Sequence, residues 1–122
     1  MSQSSQDESQ KVKTYTFENM IDLLATYVSN SEYGVLDAMV NAHDIEGSLK
    51  ALYNAVRYAV TKGYITKPNE LYGEVNAFTE AVRRYGKRII YEIAIKALVK
   101  GYMRAYETTK AASEEQESVR QG

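Results

Sequence analysis

The residues with the clearest chemical potential are basic side chains in the C-terminal half of the chain. Lys96, Lys100 and Arg104 follow one another at intervals of four, which places them along one face of a helix. Four further bases cluster just before them: Arg83, Arg84, Lys87 and Arg88. Basic side chains at this density neutralise phosphates and release counterions, whatever the base sequence of the nucleic acid. The alternative is a solvated face whose long side chains cover apolar helix surface.

Two more candidate binding residues lie in the middle of the chain. Lys50 and Arg57 occupy the outer face of a predicted helix, and Tyr58 lies beside them. An exposed ring next to a cation can stack on a base, although packing on a neighbouring element is the more common role of such a Tyr. With the seven C-terminal bases, Lys50 and Arg57 complete the predicted nucleic-acid-binding set.

Other kinds of chemistry lack the residues that they need. The chain has no Cys and one His, which excludes thiol catalysis and a zinc site of the usual kind. It also has no Glu-x-x-His pair, no Gly-rich phosphate loop and no Gly-x-Ser-x-Gly elbow. We therefore expect a protein without catalytic activity, metal or cofactor.

Charge is distributed unevenly along the chain, although the net charge is only -1. Residues 14–48 hold six acidic side chains and no Lys or Arg, whereas residues 83–104 hold seven bases and one acid. Such asymmetry favours polyanion binding or head-to-tail assembly with neighbouring copies. The alternative is that the two segments pack side by side within one molecule and neutralise each other.

The spacing of apolar residues predicts an all-α fold, a compact bundle of about five helices. We expect one helical domain over residues 14–110, between disordered polar tails at residues 1–13 and 111–122. The third helix is the clearest element, because Asp44 is a good N-cap and Gly63 a good left-handed C-terminal residue. Its predicted core-facing side consists of Ile45, Leu49, Leu52, Tyr53, Val56 and Val60. On the fourth helix we expect Leu71, Val75, Phe78 and Val82 to face inward.

Details of the other helices follow from the same rules. Thr14 or Thr16 is expected to cap the first helix. The fifth runs from about Lys87 to about Lys110 and is apolar on two faces. One face is rich in small residues, and the other consists of Ile95, Val99, Met103 and Tyr106. A helix that is apolar nearly all round is central in its domain or shared with a partner, and in a bundle this small we expect another chain to cover part of it.

The middle of the chain resembles the small subunit of archaeal type I-A CRISPR effector complexes, over about residues 15–105. The resemblance rests on a pattern in three predicted helices: Leu23-Leu24-Ala25, then Tyr33, Leu36-Asp37 and Asn41-Ala42, then the run from Leu49 to Tyr58. It implies a non-catalytic helical subunit of a ribonucleoprotein, present in several copies beside other effector subunits. Its implied ligands are guide RNA, target DNA or the displaced strand, with Arg57 the chief basic residue carried over.

Two further hypotheses compete with this one. A coat-like structural subunit of an archaeal virus would use the charged segments and the two-faced fifth helix for assembly. A helix-turn-helix regulator ranks last, because the connection from Gly63 to Asn69 is too long for that motif. The chain has no apolar run long enough to span a membrane and no secretory signal, so we expect a cytoplasmic protein without a membrane partner.

Overall fold

The computed structural model of the chain describes the backbone of residues 16–121 and the side chains of residues 16–111. It confirms the all-α prediction, since this part of the chain forms five helices and no strand. We number them α1 to α5, with the bounds Glu18–Ser29, Gly34–Asn41, Ile45–Thr61, Pro68–Tyr85 and Arg88–Gln121. The predicted tail at residues 1–13 lies outside the described residues.

Helix α1 begins without the cap that was predicted for it. Phe17 precedes the helix in a left-handed conformation, with a φ of 56°, and its side chain has no oxygen with which to cap. Thr16 therefore does not take the N-cap position, and Thr14 lies outside the described residues. The backbone N–H groups of the first turn must find their acceptor elsewhere.

That acceptor is Glu74, a buried residue of α4. One carboxylate oxygen accepts hydrogen bonds from the backbone N–H of Asn19 (3.2 Å) and from its side-chain Nδ2 (2.6 Å). The other accepts from the backbone N–H of Met20 (2.9 Å). The start of α1 is thus capped across the bundle by a charge that favours a helix N-terminus.

Both ends of α3 form as the sequence predicted. Asp44 Oδ1 accepts a hydrogen bond of 2.8 Å from a backbone N–H in the first turn. At the other end Gly63 has a φ of 77° and donates its N–H to the carbonyl of Val60, while the N–H of Tyr64 reaches the carbonyl of Ala59. This pair of bonds is a Schellman motif, which ends the helix sharply.

The core lies where the inner faces of the helices meet. All four apolar residues predicted to face inward on α4 are buried: Leu71, Val75, Phe78 and Val82. On α3 the residues Leu49, Leu52 and Val56 are buried as predicted, but Tyr53 is 46% exposed. The Tyr53 ring lies at the rim of the bundle against Tyr72, with 6.1 Å between ring centroids. The prediction that Tyr53 faces the core is therefore wrong.

Helices α1 and α5 share the most extensive helix–helix contact of the bundle. Gly101 lies at its tightest point. A Cβ atom at Gly101 would lie 2.5 Å from side-chain carbons of Val28 and 2.9 Å from the carbonyl oxygen of Ala25. Because no L side chain fits there without a shift, Gly101 sets both the spacing of the two helices and the face that α5 turns outward.

The outer face of α5 is the second apolar face predicted from the sequence. Its four residues are more than half exposed: Ile95, Val99, Met103 and Tyr106. Helix α5 also continues to Gln121, beyond the end predicted near Lys110. Residues 111–121, which we assigned to a disordered tail, therefore have a helical backbone. Their Ala, Glu and Gln content explains this, because these residues have high helix propensity.

Candidate nucleic-acid interface

The acidic and basic segments of the chain pack against each other within one molecule. Asp22 of α1 forms ion pairs with Lys100 and Arg104 of α5, and Arg104 Nη2 donates to Asp22 Oδ1 at 2.8 Å. Both bases are therefore engaged on the side of α5 that faces α1. Half-exposed pairs of this kind contribute little to stability, but they do neutralise local charge.

The bases at the α4–α5 junction have partners too. Arg83 donates to both carboxylate oxygens of Glu46 at 3.1 to 3.3 Å. Lys87 Nζ donates to the carbonyl oxygens of Ala42 and His43, at 3.1 and 3.3 Å, just after the end of α2. A cation at this position complements the helix dipole and satisfies carbonyls that the helix leaves free.

Arg88 completes the partnered set. It lies 3.9 Å from Glu92 on the same helix, and its guanidinium is 5.5 Å from the ring centroid of Tyr85. Five of the nine predicted binding residues are thus held by groups of the same molecule. Asp22 and Glu46 of the acidic segment therefore neutralise several bases of residues 83–104, as the alternative of side-by-side packing predicts.

Four of the predicted residues have neither an ion pair nor a side-chain hydrogen bond among residues 16–111: Lys50, Arg57, Arg84 and Lys96. Arg84 and Lys96 line a groove of about 580 Å³ between α4 and α5. Glu80 and Glu92 line the same groove, so its charge is balanced. Lys50 and Arg57 lie elsewhere, on the exposed face of α3.

The surface around Lys50 and Arg57 is the cationic surface that the fold leaves unneutralised. Residues 47–69 contain four bases and no acid, a run that spans α3 and the loop after it. Lys62 and Lys67 supply the other two charges, and both side chains are exposed. We name Lys50, Arg57, Lys62 and Lys67 the α3 cationic surface.

Exposed tyrosines border this surface. Arg57 follows Lys50 by seven positions, about two helical turns, so both lie on one line along α3. Tyr53 and Tyr58 flank that line and are 46% and 52% exposed. The Tyr58 ring lies 6.4 Å from that of Tyr64, and Lys62 Nζ lies 5.7 Å from the Tyr58 ring centroid. Cations interleaved with rings are typical of surfaces that hold a sugar-phosphate backbone and stack bases.

A groove of about 650 Å³ adjoins the α3 cationic surface on the α1 side. Tyr58, Tyr64 and Lys67 contribute to its wall, and the opposite side carries Tyr27 together with the acids Asp22 and Glu32. Burial raises the pKa of Tyr27, and the nearby Glu32 carboxylate and the Tyr58 and Tyr64 hydroxyls raise it further. The Tyr27 phenol therefore stays neutral and offers a hydrogen-bond donor at the groove.

The sequence prediction missed Lys62, Lys67, Tyr53 and Tyr64 as members of a binding surface. That prediction relied on the local density of bases, which is highest in residues 83–104. The signal that would have found the α3 cationic surface is the absence of acid between Glu46 and Glu70. A run of bases without intervening acid lacks local counter-charges, whereas a dense run can be matched by a distant acidic helix.

We also searched the described residues for a metal site and for a membrane-spanning helix. No group of three or more potential metal ligands occurs among the residues that the structure describes. None of the helices between residues 16 and 121 combines the length and hydropathy needed to cross a bilayer. Comparison of the chain with protein-family models, curated proteins and solved structures gives no match. Function therefore has to be inferred from the surface of the fold itself.

Proposed function

We propose that this protein is a non-catalytic nucleic-acid-binding subunit that holds a sugar-phosphate backbone on its α3 cationic surface. The observation that carries the proposal is the acid-free run of residues 47–69, whose four bases are exposed and have no ion pair among the described side chains. Residues 47–69 themselves place no carboxylate among these bases to compete with an approaching phosphate. The partnered bases of α5 offer less, because their own acids must first be displaced.

Binding at this surface is independent of base sequence. Lys and Arg reach phosphates as point charges or forks, and tyrosine rings stack on any base. Four phosphate contacts on a single strand give a slope of about -3 in log affinity against log salt. Affinity is accordingly weak at physiological salt, as suits a subunit that works within a larger assembly.

The resemblance to the small subunits of type I-A CRISPR effector complexes supports a particular setting. In that setting the α3 cationic surface contacts guide RNA, target DNA or the displaced strand inside a cytoplasmic ribonucleoprotein. Arg57, the basic residue matched to that family's third helix, is one of the four exposed bases of the surface. Other effector subunits and neighbouring copies of the chain would be its protein partners.

Fluorescence anisotropy tests the proposal with labelled single-stranded RNA, single-stranded DNA and an RNA–DNA hybrid over a range of salt. The test variant carries Lys50→Gln, Arg57→Gln, Lys62→Gln and Lys67→Gln. We expect at least a tenfold loss of affinity and a flatter salt dependence, because the phosphate contacts are removed.

A matched control removes four positive charges elsewhere, with Arg83→Gln, Arg84→Gln, Arg88→Gln and Lys96→Gln. Its net charge equals that of the test variant, and we expect less than a threefold loss. Equal losses in both variants would mean that net charge, and not the α3 cationic surface, governs binding. A wild-type chain that binds none of the three probes at low salt refutes the proposal altogether.

A coat-like structural subunit is the second candidate, and the exposed apolar face of α5 favours it. Residues that are more than half exposed on a central helix suit packing against further subunits. This function requires filaments from the protein alone or with DNA, which electron microscopy of concentrated samples detects. Discrete small particles at all concentrations would exclude it.

A further inference from the structure

The outer face of α5 exposes a continuous line of large apolar side chains. Six of them are 42% to 67% exposed: Tyr91, Ile95, Val99, Tyr102, Met103 and Tyr106. The line extends for about 22 Å along the helix, given a rise of 1.5 Å per residue. A contiguous apolar patch of this length on a small domain marks a surface that another molecule covers.

We propose that a second copy of the chain covers this face, with the two α5 helices antiparallel and the two-fold axis at Val99. The order of side chains along the face suits this arrangement. Val99 meets its own counterpart, and the residues at equal distances on either side of Val99 come to the same level. Ile95 then faces Met103 of the second copy, and Tyr91 lies within one residue of the level of Tyr106 of the second copy.

Charge complementarity selects this partner and this orientation. Helix α5 continues past the apolar line into a stretch whose sequence holds Glu114, Glu115 and Glu117. In the antiparallel pair residue 110 lies at the level of residue 88, where α5 of the second copy begins, so the helix backbone beyond residue 110 continues past that start toward the α4–α5 junction. The acidic stretch of one copy therefore runs beside the basic α4–α5 junction of the other, where residues 83–88 hold four bases.

The parallel arrangement fails on the same charges. It would place the two acidic stretches side by side, and likewise the two basic junctions. The acidic stretches would repel each other at one end of the pair, and the basic junctions would repel each other at the other end. Arg84, which is exposed and has no ion pair among the described side chains, lies at the end of the bundle toward which the antiparallel pair directs the acidic stretch.

Sedimentation velocity of the full chain, without nucleic acid, tests the pairing. We expect a dimer that dissociates on dilution through the micromolar range, as small interfaces do. Val99→Glu places two carboxylates together on the two-fold axis and should raise the dissociation constant at least tenfold. Asn76→Glu, on an exposed position of α4, is the control with the same charge change and should leave the dimer intact. Circular dichroism checks that both variants keep the wild-type helix content.

Disulfide trapping tests the orientation, because the chain has no Cys of its own. Val99→Cys should link to itself rapidly under mild oxidation. Tyr106→Cys should not link to itself, since its two copies lie about 21 Å apart along the helix axes. A mixture of Tyr91→Cys and Tyr106→Cys chains should form the mixed disulfide.

Three results would overturn the pairing. A wild-type chain that stays monomeric at every concentration rules out a second copy as the occupant and leaves the face to a different protein. Self-linking of Tyr106→Cys would show a parallel pair, and failure of Val99→Cys to link would remove the two-fold axis from this position. Since no nucleic acid is present in these assays, their outcome is separate from that of the proposed function.

Discussion

Glu74→Gln is the substitution that most directly tests how this fold is held together. The Glu74 carboxylate accepts three hydrogen bonds from Asn19 and Met20, and it places a negative charge at the N-terminus of α1. Gln keeps the shape of the side chain but has one oxygen acceptor. Whichever way the amide is oriented, its NH₂ group faces an N–H donor of α1.

The expected loss follows from the bonds. At least one hydrogen bond to a charged acceptor disappears, which costs about 1.5–3 kcal/mol. Removal of the charge from the helix N-terminus adds about 0.3–1 kcal/mol. Together these effects lower the free energy of unfolding by about 2–4 kcal/mol. For a chain of this size the melting temperature should fall by roughly 10–25 °C.

Urea denaturation followed by circular dichroism measures this change. Glu80→Gln is the control, because Glu80 is an exposed acid on the same helix, and it should change stability by less than about 0.5 kcal/mol. A double-mutant cycle with Asn19→Ala should give a coupling of at least about 0.5 kcal/mol. If Glu74→Gln lowers the free energy of unfolding no more than Glu80→Gln does, the Glu74 cap does not stabilise the fold and our account of the start of α1 is wrong.

Three further substitutions follow from the same contacts. Gly101→Ala should destabilise the fold by about 1–3 kcal/mol in urea denaturation, because its methyl group has no room against α1; Gly34→Ala, with open space around it, should not. Ser48→Ala should cost about 1 kcal/mol by thermal melting, since Ser48 Oγ donates to the carbonyl of Met39 at 2.5 Å and both are buried. The pKa of Tyr27 is raised in the folded state, so the unfolded chain loses this proton more readily. Below pH 10, the ordinary Tyr value, Tyr27 does not change the stability. As the pH rises from there through the folded pKa, the free energy of unfolding falls. Tyr27→Phe should reduce this alkaline loss, as measured by denaturation at several pH values.

The helices were predictable because their signals are local. Asp44 and Gly63 mark the ends of α3 through hydrogen bonds that close within a few residues, and both ends were predicted correctly. The start of α1 was predicted wrongly, since its cap comes from Glu74, 55 residues away in sequence. Nothing in the sequence near Glu74 distinguishes this buried carboxylate from an exposed one such as Glu80.

The candidate site was less predictable because charge counts do not reveal pairing. The run of bases in residues 83–104 was identified, but Asp22 and Glu46 engage several of them from other helices. Lys50 and Arg57 were identified correctly as outward-facing. Their companions Lys62 and Lys67 were missed, because a run of four bases spread over 23 residues has low density even though it lacks acids.

The contact between α1 and α5 has a consequence for synthesis on the ribosome. The helix made first and the helix made last among these five share the largest contact, so most of the apolar face of α1 stays uncovered until α5 has left the exit tunnel, although α4 contacts α1 earlier. Domains generally fold as units during synthesis, and an incomplete unit exposes apolar surface. The nascent chain must therefore carry α1 partly exposed while α2, α3 and α4 emerge, and the bundle closes only after Gly101 reaches Val28. Synthesis that stops before α5 would leave a chain whose first helix is only partly covered and prone to aggregate.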